Sequence, residues 1–101
     1  MITYYTKEGK STSIYIGDVP FGKLHRLDGP ALMFSNGRKE WWINSKQHRL
    51  DGPAIIDSNG YKEWWINDKE LNNNEVESWI KNNDINLKIK AHQVLFMMIF
   101  R

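Results

Sequence analysis

Two consecutive stretches of the chain, HRLDGPALMFSNGRKEWWINSKQ at residues 25–47 and HRLDGPAIIDSNGYKEWWINDKE at residues 48–70, are copies of one unit. They are identical at 17 of 23 positions and adjoin without a linker. The differing pairs are Leu32/Ile55, Met33/Ile56, Phe34/Asp57, Arg38/Tyr61, Ser45/Asp68 and Gln47/Glu70. Self-similarity at a fixed period is typical of repeat architectures, in which each unit buries its apolar face against its neighbours. The sequence therefore predicts an array of like units.

The rest of the chain divides around these two copies. Residues 4–9 (YYTKEG) and 14–17 (IYIG) form a degenerate, partial earlier copy, which residues 18–24 join to the first full one. Terminal units of repeat arrays are usually atypical because they cover an open end. We expect a single domain over residues 1–101, divided into a degenerate repeat at 1–24, full repeats at 25–47 and 48–70, and a C-terminal helix and cap at 71–101.

Each full copy carries the turn signals of a β-hairpin. Asp-Gly-Pro, at residues 28–30 and 51–53, is a turn tripeptide, because Asp bonds to nearby backbone, Gly takes positive φ and Pro fixes φ. A first strand is predicted at 30–34 or 53–57. After Ser-Asn-Gly, a second strand rich in aromatic and β-branched residues is predicted at 38–44 or 61–67. The fold class predicted is mainly β, a meander of antiparallel β-hairpin repeats.

The length of the Ser-Asn-Gly loop decides which side chains share a face, since residues opposed across an antiparallel pair point the same way. A two-residue Asn-Gly loop would group Leu32, Phe34, Lys39, Trp41 and Ile43. A three-residue loop, with Gly in the left-handed region, groups Ala31, Met33, Trp41 and Ile43. We favour the three-residue loop because it sends the polar Arg38, Glu40 and Asn44 to the other side, together with Phe34.

In this register each Trp-Trp pair is split across the sheet. Trp41 and Trp64 become core anchors, each burying about 200 Å². Trp42 and Trp65 stand on the opposite, more polar face. Stacked units would align them in a ladder, with Tyr15 as a further member.

The repeat ends after Glu70. Val76, Trp79 and Ile80 have the spacing of an amphipathic helix over residues 75–81, which Asn74 can cap with Glu77 at the capping-box position, and Asn83 can take a left-handed C-cap. Residues 94–100 are apolar at both odd and even positions. Their length and content favour a strand, with a short helix as the alternative.

Composition narrows the function classes. The chain has 101 residues, a formal net charge of +2 and no Cys, so disulfides, thiolate nucleophiles and Cys-based zinc sites are excluded. A charge of this size does not by itself indicate a nucleic-acid-binding protein. The longest apolar stretch is too short to cross a bilayer, and no secretion signal is evident. We expect a cytoplasmic protein without a membrane partner.

The period of 23 residues, the block Glu-Trp-Trp-Ile-Asn-x-Lys-x-His at residues 40–48 and a Gly in each hairpin loop resemble the MORN repeat. The match covers about residues 4–71. Closer still is the His-Arg-x-Asp-Gly-Pro-Ala variant of small phage and large DNA virus proteins. The glycines that follow His in the MORN pattern are replaced here by Arg26/Asp28 and Arg49/Asp51. The resemblance therefore implies a meander of hairpins used as a binding surface, without a shared enzymatic activity and without the lipid binding proposed for some members.

The repeated His-Arg-x-Asp motif is the one candidate for reactive chemistry. His25 and His48, with the Asp residues beside them, could bind a metal or act in acid–base catalysis. Equivalent residues of stacked hairpins lie roughly 10 Å apart, however, which is too far for one metal ion. We favour structural roles, in which Asp caps its turn, Arg stacks on or pairs beside a neighbouring Trp and His bonds to the backbone. No metal, cofactor or catalytic residue is predicted.

A non-catalytic binding module is the function that the sequence favours. Aromatic and Arg residues are the types that interface hot spots select, so a protein partner is expected, in a viral context a host defence component. The candidate binding residues are Trp42, Trp65, Arg26, Arg49, Phe34, Arg38, Tyr61, His25 and His48. The alternatives are nucleotide or single-stranded nucleic-acid binding, and a metal-dependent enzyme that uses the His/Asp pairs. The apolar C-terminus also suggests a homodimer.

Overall fold

The computed structural model describes residues 1–101, which form short antiparallel strands and two α-helices. The strands are β1 (Ile2–Thr6), β2 (Gly9–Ser13), β3 (Leu32–Phe34), β4 (Lys39–Glu40), β5 (Trp42–Ile43), β6 (Lys46–Gln47), β7 (Ile55–Ile56), β8 (Lys62–Glu63), β9 (Trp65–Ile66) and β10 (Lys69–Glu70). The helices are α1 (Asn73–Asn82) and α2 (Lys90–Phe100). The predicted mainly β class with antiparallel hairpins is confirmed.

Each full repeat contains two hairpins, where one was predicted. The first joins a six-stranded sheet of order β2-β1-β3-β4-β7-β8, and the second forms a two-stranded sheet, β5-β6 or β9-β10. The predicted strand at 38–44 divides at Trp41 because the chain changes partner there. The Trp41 N–H donates to the Ala54 carbonyl at 2.7 Å, and the next residue, Trp42, pairs with Gln47.

The first hairpin of each repeat closes with the three-residue loop predicted from sequence. Phe34 N–H donates to the Arg38 carbonyl at 2.9 Å, which leaves Ser-Asn-Gly as the loop, and Gly37 has φ 101°. Gly60 occupies the same place in the second repeat with φ 89°. Glycine takes this left-handed conformation without steric cost, so it ends the loop in both copies.

The second hairpin closes with a two-residue turn, whereas the sequence predicted one hairpin per repeat with its second strand at 38–44 or 61–67. Its central residues have positive φ in both repeats, at 50° and 67° for Asn44 and Ser45 and at 46° and 68° for Asn67 and Asp68. Positive φ at both positions defines the type I′ turn, whose twist matches that of the flanking strands. Asn and Asp tolerate this conformation better than most residues, which explains the Asn-Ser and Asn-Asp pairs.

The Arg of each His-Arg-x-Asp-Gly-Pro motif holds its repeat against the preceding unit. The guanidinium carbon of Arg49 lies 3.8 Å from the centre of the Trp41 ring. Its Nε donates to Asp51 Oδ1 at 2.7 Å and its Nη1 to the Pro53 carbonyl at 3.0 Å. A Cβ at Gly52 would lie 2.8 Å from that guanidinium carbon, so glycine makes room for the stack.

The N-terminal strand β1 provides the same contact for the first full repeat. Arg26 stacks on Tyr5 at 4.0 Å, as Arg49 does on Trp41. Tyr5 N–H donates to the Ala31 carbonyl, and His25 N–H donates to the Tyr5 carbonyl. Trp41 makes the equivalent backbone bonds one unit later. Tyr5 is therefore the structural counterpart of Trp41, one unit earlier.

The apolar core is divided into two clusters. The N-terminal cluster is Ile2, Val19, Leu24, Ala31 and Leu32. The C-terminal cluster is Trp64, Ile66, Leu71, Val76, Leu87 and Phe96. Because Val19 and Leu24 of the joining segment cover the side predicted to be polar in the first repeat, Leu32 and Glu40 are buried there.

The C-terminal region is helical where a strand was favoured at 94–100. That prediction is wrong, and the short-helix alternative is correct. A helix places Phe96 and Phe100 on one face, where both rings contact Trp79, at 6.0 and 5.5 Å between centroids. An extended chain would instead direct half of this segment away from the cluster. Residues 94, 95, 98 and 99 form an exposed apolar stripe on the other side of α2.

Helix α1 also differs at its ends from the prediction. The N-cap is Asn72, whose side chain accepts from Glu75 N–H at 3.0 Å, so the helix begins two residues before the predicted position. Asn83 has φ −114° and is not left-handed. The positive φ at this end, 55°, belongs to Asp84.

Replacing Gly52 by Ala should destabilise the fold by about 1–3 kcal/mol, because the added Cβ displaces a guanidinium held by a ring, a carboxylate and a carbonyl. Gly22→Ala is the matched control, since a Cβ there would have no neighbour within 4 Å. The control should change the free energy of unfolding by no more than about 0.5 kcal/mol. Urea denaturation followed by Trp fluorescence measures both, and equal effects would contradict the stacking argument.

Phe96→Ala should cost about 3–5 kcal/mol, because the ring is fully buried among three aromatic side chains. Leu95→Ala, one residue away on the exposed stripe, should cost less than about 1 kcal/mol. Thermal denaturation compares the two. Comparable losses would indicate that this segment is not the helix described.

Candidate functional site

The nine predicted site residues fall on two sides of the sheet. We define the Trp42/Trp65 face as the side that carries Trp42 and Trp65 with the side chains hydrogen-bonded to them. Arg38 lies on this face, but the structure does not bring Arg26 and Arg49 there. These two arginines stack on Tyr5 and Trp41, which project to the opposite side because side chains alternate along a strand.

Trp42 is half-buried against the N-terminal cluster. Phe34 also packs against that cluster, and the Phe21 ring meets the Trp42 indole edge-on at 5.9 Å between centroids. The indole Nε1 donates to Glu40 Oε1 at 3.0 Å. Tyr15, 66% exposed, makes no ring contact with either indole, so the predicted ladder is not formed. Covering by Phe21 leaves Trp42 less accessible than the sequence suggested.

Trp65 repeats the indole hydrogen bond without the covering ring. Its Nε1 donates to Glu63 Oε1 at 2.9 Å, and no aromatic side chain contacts it. Glu70 lies directly opposite it in the β9–β10 pair, so both side chains project from one face. Tyr61, two residues before Glu63, is 53% exposed. The second repeat therefore contributes the open part of the Trp42/Trp65 face.

Arg38 links the two repeats. Its Nε lies 3.0 Å from Glu40 Oε2 and its Nη1 lies 2.9 Å from Asp57 Oδ2. Burial acts to lower the Arg38 pKa, but the hydrogen bond and charge of Glu40, with those of Asp57, raise it overall. Both ends of the Arg38–Asp57 ion pair lie at positions where the copies differ, since Arg38 is replaced by Tyr61 in the second copy and Asp57 by Phe34 in the first. Glu40 and Asp57 were not among the predicted residues; the Glu-x-Trp spacing in both repeats was the available signal.

The histidines accept hydrogen bonds from backbone. His25 Nδ1 accepts from Asn44 N–H at 2.9 Å, and His48 Nδ1 accepts from Asn67 N–H at 3.1 Å. Each imidazole thus holds the second hairpin of its repeat through its Nδ1. No group of three or more metal-ligating side chains occurs. The arrangement assigns both imidazoles a structural role.

An open cleft of about 430 Å³ separates the two His-Arg-x-Asp loops. Trp41 and Ile43 lie on its floor between Arg26 and Arg49. Its charges are already paired, because Arg49 binds Asp51, whose other oxygen lies 3.4 Å from Lys88 Nζ. Burial would raise the Asp51 pKa, but Arg49 and then Lys88 lower it overall. The cleft has no free charge at its centre to select a charged ligand.

No family model, curated protein or solved structure matches the chain at a significant level. Function is therefore argued from its own residues. Neither helix is long and apolar enough to cross a membrane.

Acidification should weaken the fold through His48. Burial lowers the pKa of His48 below its ordinary 6.5, so the unfolded chain binds the proton more readily. The free energy of unfolding should therefore decrease as the pH falls from about 7 to 5, with the loss complete below the folded-state pKa. The Asp28 and Asp51 pKa values are lowered from 3.8, so their contributions are lost only at more acidic pH.

His48→Gln removes the titrating group, so its unfolding free energy should decline less over this pH range than that of the original chain. Urea denaturation at half-unit pH intervals gives both slopes. An unchanged slope in the variant would show that His48 is not the group responsible.

Proposed function

We propose that this chain is a non-catalytic binding module that presents the Trp42/Trp65 face to a protein partner. The observation that carries the proposal is the Glu-x-Trp hydrogen bond found in both repeats, at 3.0 and 2.9 Å. It holds each indole in one orientation before binding. A large ring that is already ordered contributes contact area at low entropic cost.

The second repeat is the proposed centre of contact. Trp65 is half-buried but has no covering ring, whereas Phe21 covers Trp42. Tyr61 of the same repeat is more than half exposed. Aromatic side chains at accessible, preordered positions are typical of interface hot spots. Phe34, Arg38 and Trp42 would then form the adjoining, more rigid part of the contact.

The MORN-like assignment belongs to the same proposal. Tandem hairpins stacked by their Arg residues agree with a repeat array that serves as a binding surface. Because the His-Arg-x-Asp-Gly-Pro-Ala variant is the form seen in phage and large DNA virus proteins, we propose a host defence protein as the partner, held by sequestration. A second copy of the chain is a further proposed partner, through the exposed stripe of α2.

The charges around Trp65 favour a protein over a nucleic acid. Glu63 and Glu70 lie beside the indole, and neither forms a salt bridge. Phosphates would be repelled there, whereas single-stranded nucleic-acid sites combine aromatic rings with basic grooves.

Trp65→Ala should lower the affinity for the partner about 30-fold, the loss expected for a hot-spot aromatic residue. Capture from cells that naturally contain the protein, followed by titration of the purified partner, measures it. Tyr15→Ala, at an exposed aromatic residue outside the face, is the control and should bind normally. Equal affinities of the Trp65 variant and the original chain would contradict the proposal. A steep loss between 50 and 200 mM salt would indicate nucleic acid instead.

A further inference from the structure

The two indole environments differ in charge although the repeats are nearly identical. Tyr61 replaces Arg38, which removes a positive charge from the second repeat. Glu70 replaces Gln47 and adds a negative charge directly opposite Trp65. Two of the six differences between the copies therefore make the surroundings of Trp65 more acidic than those of Trp42.

The first repeat shows what its acidic group binds. Glu40 uses Oε1 to accept from the indole of Trp42 and Oε2 to accept from the guanidinium of Arg38, both at 3.0 Å. Both carboxylate oxygens are therefore satisfied, and the side chain is buried. Indole, carboxylate and guanidinium form a continuous chain of contacts within one repeat.

The second repeat has the same arrangement without the guanidinium. Glu63 Oε1 accepts from Trp65 Nε1 at 2.9 Å, whereas its Oε2 has no hydrogen-bond partner and the residue is only half-buried. Neither Glu63 nor Glu70 forms a salt bridge. A partly desolvated carboxylate gains most from a charged donor, since charge-assisted hydrogen bonds are the stronger kind.

We propose that Glu63 binds the guanidinium of an arginine from the bound protein, as Glu40 binds that of Arg38 in the first repeat. Glu63 Oε2 accepts its hydrogen bond, Glu70 supplies the second carboxylate, and Trp65 and Tyr61 supply aromatic surface. The proposal rests on the proposed function, because it gives the chemistry of the partner at the same face. An open cleft of about 410 Å³ lies next to two of these residues and is lined by Tyr61, Glu70 and residues 71–74.

The fork of donors on a guanidinium favours arginine over lysine. In the first repeat Arg38 binds Glu40 through Nε while its Nη1 binds a second carboxylate, Asp57. Asp57 has no counterpart in the second repeat, where Glu70 opposite Trp65 is the other carboxylate. The fold also places guanidinium groups on aromatic rings at two other positions, at 4.0 Å on Tyr5 and 3.8 Å on Trp41. Arg26 and Arg49 thus combine planar stacking with a carboxylate, whereas Arg38 is held by two carboxylates.

The test is an NMR titration with two tripeptides blocked at both ends, Gly-Arg-Gly and Gly-Lys-Gly. The five indole N–H resonances report each Trp separately, and Trp65→Phe identifies the relevant one. The arginine peptide should move the Trp65 resonance in the millimolar range while the Trp42 resonance stays in place. The lysine peptide should bind at least about threefold more weakly, because it lacks the planar fork. Equal shifts with both peptides, or no shift at Trp65, would overturn the proposal.

Two variants test the site itself. Glu63→Gln should abolish the shift, whereas Glu77→Gln, an exposed carboxylate on α1, should leave it unchanged. Tyr61→Arg supplies an internal guanidinium as in the first repeat. It should block the peptide while keeping the fold, and should raise the thermal midpoint. Peptide binding that survives Tyr61→Arg would overturn the proposal even if Glu63→Gln proved unstable.

Capture of the partner distinguishes failure of the arginine site from failure of the proposed function, the binding of a protein partner, on which the arginine site rests. Loss of the partner with Trp65→Ala, Glu63→Gln and Tyr61→Arg alike supports both. Loss with Trp65→Ala alone overturns the arginine site and leaves the binding face intact. An arginine-peptide shift at Trp65, with capture unaffected by all three variants, supports the arginine site and overturns the proposed function.

Discussion

The stacking of one guanidinium on the aromatic ring of the preceding unit is the contact on which the array depends. It explains most of the motif that both repeats share. Arg49 needs the ring of Trp41 beneath it, Asp51 and the Pro53 carbonyl at its edge, and the absence of a side chain at Gly52. An arginine meets these demands because it is flat, always charged and carries donors in a fixed fork. The shared motif is therefore accounted for by the joints between units, and function is to be sought where the units differ.

The ends of the array follow from the same contact. Tyr5 begins the series of stacked rings and Trp41 continues it, but the third member, Trp64, has no arginine after it. Leu71 N–H donates to the Trp64 carbonyl, as His48 N–H does to that of Trp41, but the ring is met edge-on by Phe96 of α2 at 5.7 Å and not by an arginine. The indole Nε1 of Trp64 is left buried without an acceptor, at a cost of about 1–3 kcal/mol. Helical packing over the ring must more than offset that cost, which explains why the apolar C-terminal segment folds back as a helix.

Local signals were sufficient for the parts of the fold that short-range chemistry determines. The three-residue loop ending at Gly37 and helix α1 could be predicted from residues a few positions apart. The 23-residue period could be predicted by comparing the two adjacent copies. The burial of Leu32, and of Ile55 at the same place in the second repeat, could not, because the predicted register assigns both to the more polar side. Residues 94–100 were misassigned because their apolar pattern suits either a strand or a helix until Trp79 and Trp64 are in place. Among the predicted site residues, the two stacking arginines lie on the side opposite Trp42 and Trp65, because Tyr5 and Trp41 hold them there.

Because the unit is duplicated, the surroundings of Trp42 in the first copy can be compared with those of Trp65 in the second. The two repeats share their hairpins, so the charge differences around Trp42 and Trp65 come from the substituted residues, whereas the ring that covers Trp42 comes from the joining segment. In the first copy Arg38 neutralises Glu40 and reaches Asp57 of the second, which ties the copies together. In the second copy no further repeat follows, so an arginine at position 61 would have no Asp57 equivalent to bind. A tyrosine there leaves Glu63 open to solvent. The last repeat thus keeps the acidic half of an ion pair that the first repeat completes internally, and we propose that recognition of a partner uses this unpaired half.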